Sequence, residues 1–119
     1  VQSSFDDARE VEKIVTETME RTPDLAGIFV ASAGQEGVRN AFEKLEITAA
    51  RRPHVIVYDL TRENVEALME GTVDFLIDQE AYVQRNYPPK LLYDILVRGK
   101  EPDQEYLFTD INIKTKYNL

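Results

Sequence analysis

The chain has 119 residues with 43% hydrophobic and 30% charged positions, an ordinary globular composition for one domain and too rich in apolar residues for disorder. Its 22 acidic residues against 14 basic ones give a formal charge of -8, and no window gathers Lys and Arg into a stripe able to neutralise phosphates, so nucleic-acid binding by this chain is not expected. With no cysteine and one histidine, disulfide and thiolate chemistry are excluded and a transition-metal site is not expected.

The chain opens almost at once on a helical pattern, with Ser3 or Ser4 as the expected cap and Asp6 and Asp7 complementing the dipole. Ala8, Val11, Ile14, Val15 and Met19 fall on one face, and Thr22, Pro23 and Asp24 end the segment. A βα rhythm that starts on its helix implies an upstream strand, so the sequence reads as a piece of a longer protein. Leu25 to Ser32 is the first expected strand. Gly34 to Leu45 is the second helix, with Val38, Ala41, Phe42 and Leu45 inward. After a loop holding Arg51 and Arg52, Val55 to Asp59 forms the second strand. Thr61 caps a third helix, with Asn64 where a capping box carries Glu or Gln; Val65, Leu68 and Met69 face inward and Gly71 stops the helix. Val73 to Asp78 is the third strand.

The pattern then changes. Pro88 and Pro89 argue against an unbroken helix through Ala81 to Arg98, and place its well-formed part between Pro88 and Gly99 with Leu91, Leu92, Ile95 and Leu96 as a buried stripe. A last strand is expected within Tyr106 to Lys114, where Leu107, Thr109, Ile111 and Ile113 alternate. The expected fold is an α/β lobe: a parallel sheet with helices on both faces.

Each of the three main strands ends on a small polar or acidic residue. Ligands of open α/β sheets bind beyond the carboxyl ends of the strands, so Ser32, Asp59, Asp78 and Gln79 are expected to line one rim. Carboxylates that accept from hydroxyls, beside an amide that both donates and accepts, suit a small polyhydroxylated ligand better than a phosphate. Each residue also has a plainer role open to it. Asp59 can cap the third helix, Ser32 the second, Gln79 can satisfy turn backbone, and Asp78 can alternate away from the rim. Phe29, Tyr58 and Tyr82 are either core or stacking platforms for a sugar face. The GQEG turn is read as tight geometry, since it lacks the dinucleotide fingerprint and the P-loop lysine, and His54 as a strand-edge residue.

The series PDLAGIFVAS, HVIVYDLT, VDFLIDQEAY and DINIKTKYNL resembles the carboxyl-terminal part of the LacI-type transcriptional regulators and their periplasmic sugar-binding relatives. The resemblance implies one lobe, residues 1–119, of a two-lobed, type I periplasmic-binding-protein-like domain that closes on a sugar or similar effector. It makes 80–104 the segment that crosses to the other lobe. It also implies that Asp59 and Gln79 contact ligand and that Ser32 stands where many members carry Asn or Asp. YPPKLL departs from the smoother helical opening of relatives, and no helix-turn-helix is present in the chain.

The expected function is therefore effector binding, with ligand contacts from Asp59, Gln79, Ser32, Tyr82 and Asp78, within a cytoplasmic regulator whose DNA contact lies outside this chain. The alternatives are a periplasmic sugar-binding protein for transport or chemotaxis, and an interaction module. Neither a cofactor nor a metal is expected. No enzymatic activity is expected either, for want of a nucleophile elbow, a metal cluster or a serine–histidine arrangement. The sequence has no apolar stretch near the roughly 18 to 20 residues of a membrane span. An unpartnered apolar face on the last helix makes self-association the expected state.

Overall fold

A computed structural model describes residues 1–119. Helix α1 (Ala8–Arg21) leads into strand β1 (Gly27–Val30), and α2 (Glu36–Lys44), β2 (His54–Tyr58), α3 (Arg62–Glu70) and β3 (Phe75–Asp78) continue the alternation. Helix α4 (Ala81–Arg98) and strand β4 (Asn112–Lys114) complete the chain. The four strands lie in the order β1-β2-β3-β4. β1, β2 and β3 are parallel, whereas β4 returns antiparallel to β3, pairing Leu76 with Lys114 and Asp78 with Asn112.

Strand alternation sorts the side chains into two faces. Val30, Val55, Val57 and Leu76 form one buried core with Val11 and Val15 of α1, Val38, Ala41 and Phe42 of α2, and Ala67 and Leu68 of α3. All three helices thus cover the same face of the sheet. The register places Phe29 beside Ile56, Ile56 beside Phe75, and Tyr58 beside Ile77 on the other face. There Phe29 and Phe75 remain 55% and 41% exposed. The α/β lobe is as expected, but helical cover is met on one face only, and the sheet is mixed at its β4 edge.

The close approach of α1 and α2 has a specific cause. At Gly37 a Cβ would sit 2.1 Å from the Ala8 carbonyl oxygen and 2.6 Å from the Glu12 nitrogen, so only glycine lets the helix backbones meet. Gly34 turns with φ +92° against Asp7 and Val11. The GQEG turn is a packing device. The α1 cap is Asp7, whose carboxylate accepts from the N–H of Arg9 and Glu10, rather than Ser3 or Ser4. Thr61 and Gly71 cap α3 as expected, Gly71 in the left-handed region at φ 83°.

At the amino ends of the strands, Arg52 donates through both terminal nitrogens to Asp74 at 2.7 Å, and the Val55 N–H donates to the same carboxylate at 2.8 Å. Partial burial pushes the Asp74 pKa up, but the Arg52 hydrogen bonds, the Val55 N–H and the guanidinium charge outweigh it and hold the carboxyl at about 2.

Helix α4 corrects two expectations. It runs unbroken through Pro88 and Pro89, and it buries no residue. Each proline removes one backbone donor, which leaves the carbonyls four residues earlier, at Gln84 and Arg85, without their helical partners. Both residues are exposed, so water can serve those carbonyls and the helix continues. Leu92 and Leu96 face solvent, and Leu91 is only half-buried, so the expected stripe is not buried within this chain. The last strand is likewise shorter than expected, because residues 106–111 are irregular.

Candidate functional site

The carboxyl ends of β1 and β2 open onto a cleft of about 310 Å³ whose walls include Asp6, Ser32, Gln35, Tyr58, Asp59, Thr61 and Asn64. Ser32 follows β1 and Asp59 follows β2, so strand exit sets both side chains on one rim. From the next strand, Gln79 Nε2 donates to Asp59 Oδ1 at 3.1 Å. Three of the five expected residues are therefore brought together: Ser32 and Asp59 in the cleft, and Gln79 joined to Asp59.

The other two stand apart. Asp78 turns its carboxylate back to accept from the Glu80 N–H at 3.0 Å, an Asx-type turn at the exit of β3. Tyr82 is 80% exposed on α4 and lies outside the cleft lining. Tyr58 lines the cleft and meets Phe29 with ring centroids 5.5 Å apart, so those two aromatics partner each other.

Asp59 itself has φ 72°, a left-handed conformation uncommon outside glycine, which aspartate and asparagine adopt more readily than other residues. Glu80, at the exit of β3, and Asp6 share this trait at 56° and 60°. Such conformations persist where surrounding bonds over-determine them. At Asp59 those bonds are visible: its N–H donates to the Ile77 carbonyl and its own carbonyl accepts from the Thr61 N–H, both at 2.9 Å.

Two residues of this site escaped the sequence reading. Asp6 lies ahead of α1 and looked like a dipole partner, yet its Oδ1 accepts from the Ala33 N–H at 3.3 Å and brings the amino-terminal segment to the rim. Asn64 looked like a substitute capping-box residue. Its Nδ2 instead donates to the carbonyls of Tyr58 at 2.7 Å and Asp59 at 2.8 Å. The Thr61 N–H that a capping-box side chain would meet is already held by Asp59. The only signal in the sequence was a polar side chain on the helix face that otherwise carries Ala67 and Leu68.

A larger hollow of about 690 Å³ runs along the free edge of β1 beneath residues 1–6. Its walls are mostly apolar, Ile14, Val15, Ile28 and Phe29 among them, and its polar residues, Gln2, Ser3, Ser4, Asp6 and Ser32, come from the amino-terminal segment and the exit of β1.

The family described as "Periplasmic binding protein domain" matches residues 1–101. The xylose/arabinose-binding protein XylF of Sulfolobus acidocaldarius is 32% identical over 79 residues, which are 63% of this chain and 20% of that protein. Among solved structures, the glucose-galactose binding protein GanP of Geobacillus stearothermophilus superposes with a TM-score of 0.85 at 21% identity, covering 98% of this chain and 41% of that one. An ABC transporter solute-binding protein of Agrobacterium vitis, solved with D-fucose, gives 0.83 at 21% identity over 98% and 39%. The chain thus spans a fifth of the first relative's length and about two fifths of the two solved chains.

Proposed function

We propose that this chain, which belongs to the periplasmic binding protein domain family, is the sugar-facing lobe of a solute-binding protein for transport or chemotaxis. The observation that carries the reading is the Asp59 carboxylate. It stands at the carboxyl end of β2, oriented by Gln79 and sharing a rim with Ser32. A carboxylate fixed in this way accepts hydrogen bonds from adjacent hydroxyls of a pyranose, the Gln79 amide adds a donor, and the Ser32 hydroxyl does either. The names of the relatives support a monosaccharide as ligand.

This family consists of binding domains, and binding rather than catalysis is the work the rim is suited to. The finer reading as a LacI-type regulator in the cytoplasm has less support, because the relatives named above are sugar-binding and solute-binding proteins. Location outside the cytoplasm follows the same preference. Residues 80–104 would then carry the chain toward a second lobe, with Tyr82 in that crossing and Asp78 just ahead of it at the end of β3.

Titration of the ¹⁵N-labelled chain with D-xylose, L-arabinose, D-galactose and D-fucose tests the proposal. A sugar that binds here shifts the amides of Ser32, Asp59 and Gln79 in a saturable way at millimolar concentration, since one lobe supplies only part of the contacts. Shifts confined to residues away from this rim, or none with any of the four sugars, would count against it.

A further inference from the structure

We infer that Asn64 is the residue that positions Asp59 for its ligand. The inference rests on the sugar-site reading for its purpose, and on geometry of its own for its mechanism. Asn64 is 3% exposed and sits in the first turn of α3, directly below the rim. Its amide nitrogen spans the carbonyls of two consecutive residues, Tyr58 and Asp59. A flipped amide would set its oxygen against two carbonyl oxygens, so the donor orientation is fixed by the contacts alone.

Bridging those two carbonyls clamps the peptide planes on either side of the Asp59 α-carbon. Together with the backbone bonds to Ile77 and Thr61, the clamp holds Asp59 at φ 72°, away from the extended region that a strand continuation would take. In that conformation its carboxylate meets Gln79. The same amide leaves Asn64 Oδ1 buried with no hydrogen-bond partner. An apolar residue would remove that burden but take the donor from the Tyr58 and Asp59 carbonyls, so the asparagine is retained for the two carbonyls it bridges.

The test uses Asn64→Ala and Asn64→Ser in the labelled 119-residue chain. Both keep the α3 cap, because the Thr61 hydroxyl accepts from the backbone N–H of residue 64. Three readouts are followed: the amide-to-α-proton coupling of Asp59, which reports φ; the side-chain amide shifts of Gln79; and D-xylose affinity. In Asn64→Ala, Asp59 loses its left-handed coupling, the Gln79 side-chain signals move toward those of Asp59→Ala, and D-xylose binds roughly tenfold more weakly, as expected when a charged hydrogen bond to ligand is misplaced. Asn64→Ser, with one donor, falls between. A purely structural role would lower the melting temperature without moving these readouts.

A folded Asn64→Ala with the native Asp59 coupling and Gln79 shifts overturns the inference. So does loss of fold in both variants, which would make Asn64 a core strut. Asp59→Ala separates the two ideas: if D-xylose binding survives it, the sugar-site reading fails, and the coupling and Gln79 shifts still decide the positioning role with no sugar present.

Discussion

Gln79 reaches back across 20 residues of sequence to donate to Asp59, so the exits of β2 and β3 are tied at the point where the chain departs for α4. A rim residue and the first residue beyond the sheet therefore share one hydrogen bond.

The first prediction follows from that bond. Asp59→Ala should weaken monosaccharide binding by about 1.5–3 kcal/mol, the range for hydrogen bonds to a charged group, while folding stability changes far less because Asp59 is exposed. Titration of both proteins with the best-binding sugar, beside their urea curves, checks the two halves separately. Equal affinities would remove Asp59 from the site.

The second prediction concerns acid. Asp74 has a folded pKa of about 2, below the ordinary 3.8, so its contribution is fully present above about pH 4 and is lost as pH falls through the folded value. With partial solvent screening that contribution is about 1–2 kcal/mol. Arg52→Ala should lower stability at pH 7 by a similar amount and flatten the loss between pH 4 and 2. Urea midpoints across that range measure it, and a variant with the native acid profile would contradict the assignment to this pair.

Much of this architecture was legible before the structure. Three strands, the Thr61 and Gly71 caps and the shared rim of Ser32 and Asp59 all follow from local patterns: short β-branched runs, capping chemistry, and the polar residue at a strand exit. What stayed hidden depends on distance in sequence. Asp6 meets Ala33 across 27 residues and Arg52 meets Asp74 across 22, and periodicity holds no record of such pairs. The Pro88–Pro89 helix was missed for a different reason. Internal proline is disfavoured in part because it orphans a carbonyl, and on a helix that buries no residue water can meet that carbonyl at little cost.

A third prediction separates two kinds of glycine. Gly37→Ala forces its Cβ into the Ala8 carbonyl and should destabilise by about 3 kcal/mol, the upper range of overpacking. Gly71→Ala meets nothing within 4 Å and should cost only the left-handed backbone penalty, about 1–2 kcal/mol. Chemical denaturation of both variants checks the ordering. A Gly71 variant more damaging than the Gly37 variant would refute the account of α1–α2 packing.

A fourth prediction concerns the sheet face without helices. Phe29, Ile56, Tyr58, Phe75 and Ile77 form a contiguous apolar surface, and the free 119-residue chain should self-associate through it at micromolar concentration. Replacing Phe29 and Phe75 together by Thr should shift sedimentation toward monomer without loss of helical signal. A native chain that stays monomeric at high concentration would overturn this expectation.

The reach of α4 away from the sheet sets how the chain melts. Its radius of gyration is 18.3 Å, against about 13.5 Å for a compact chain of this length. An element that buries nothing adds little heat capacity and little denaturant sensitivity, since both scale with area newly wetted on unfolding. Calorimetry should therefore register a cooperative unit much smaller than the full chain, ending near β3 and clasped by β4. Amide exchange would run ahead through residues 81–111 while the middle strand still holds its protons.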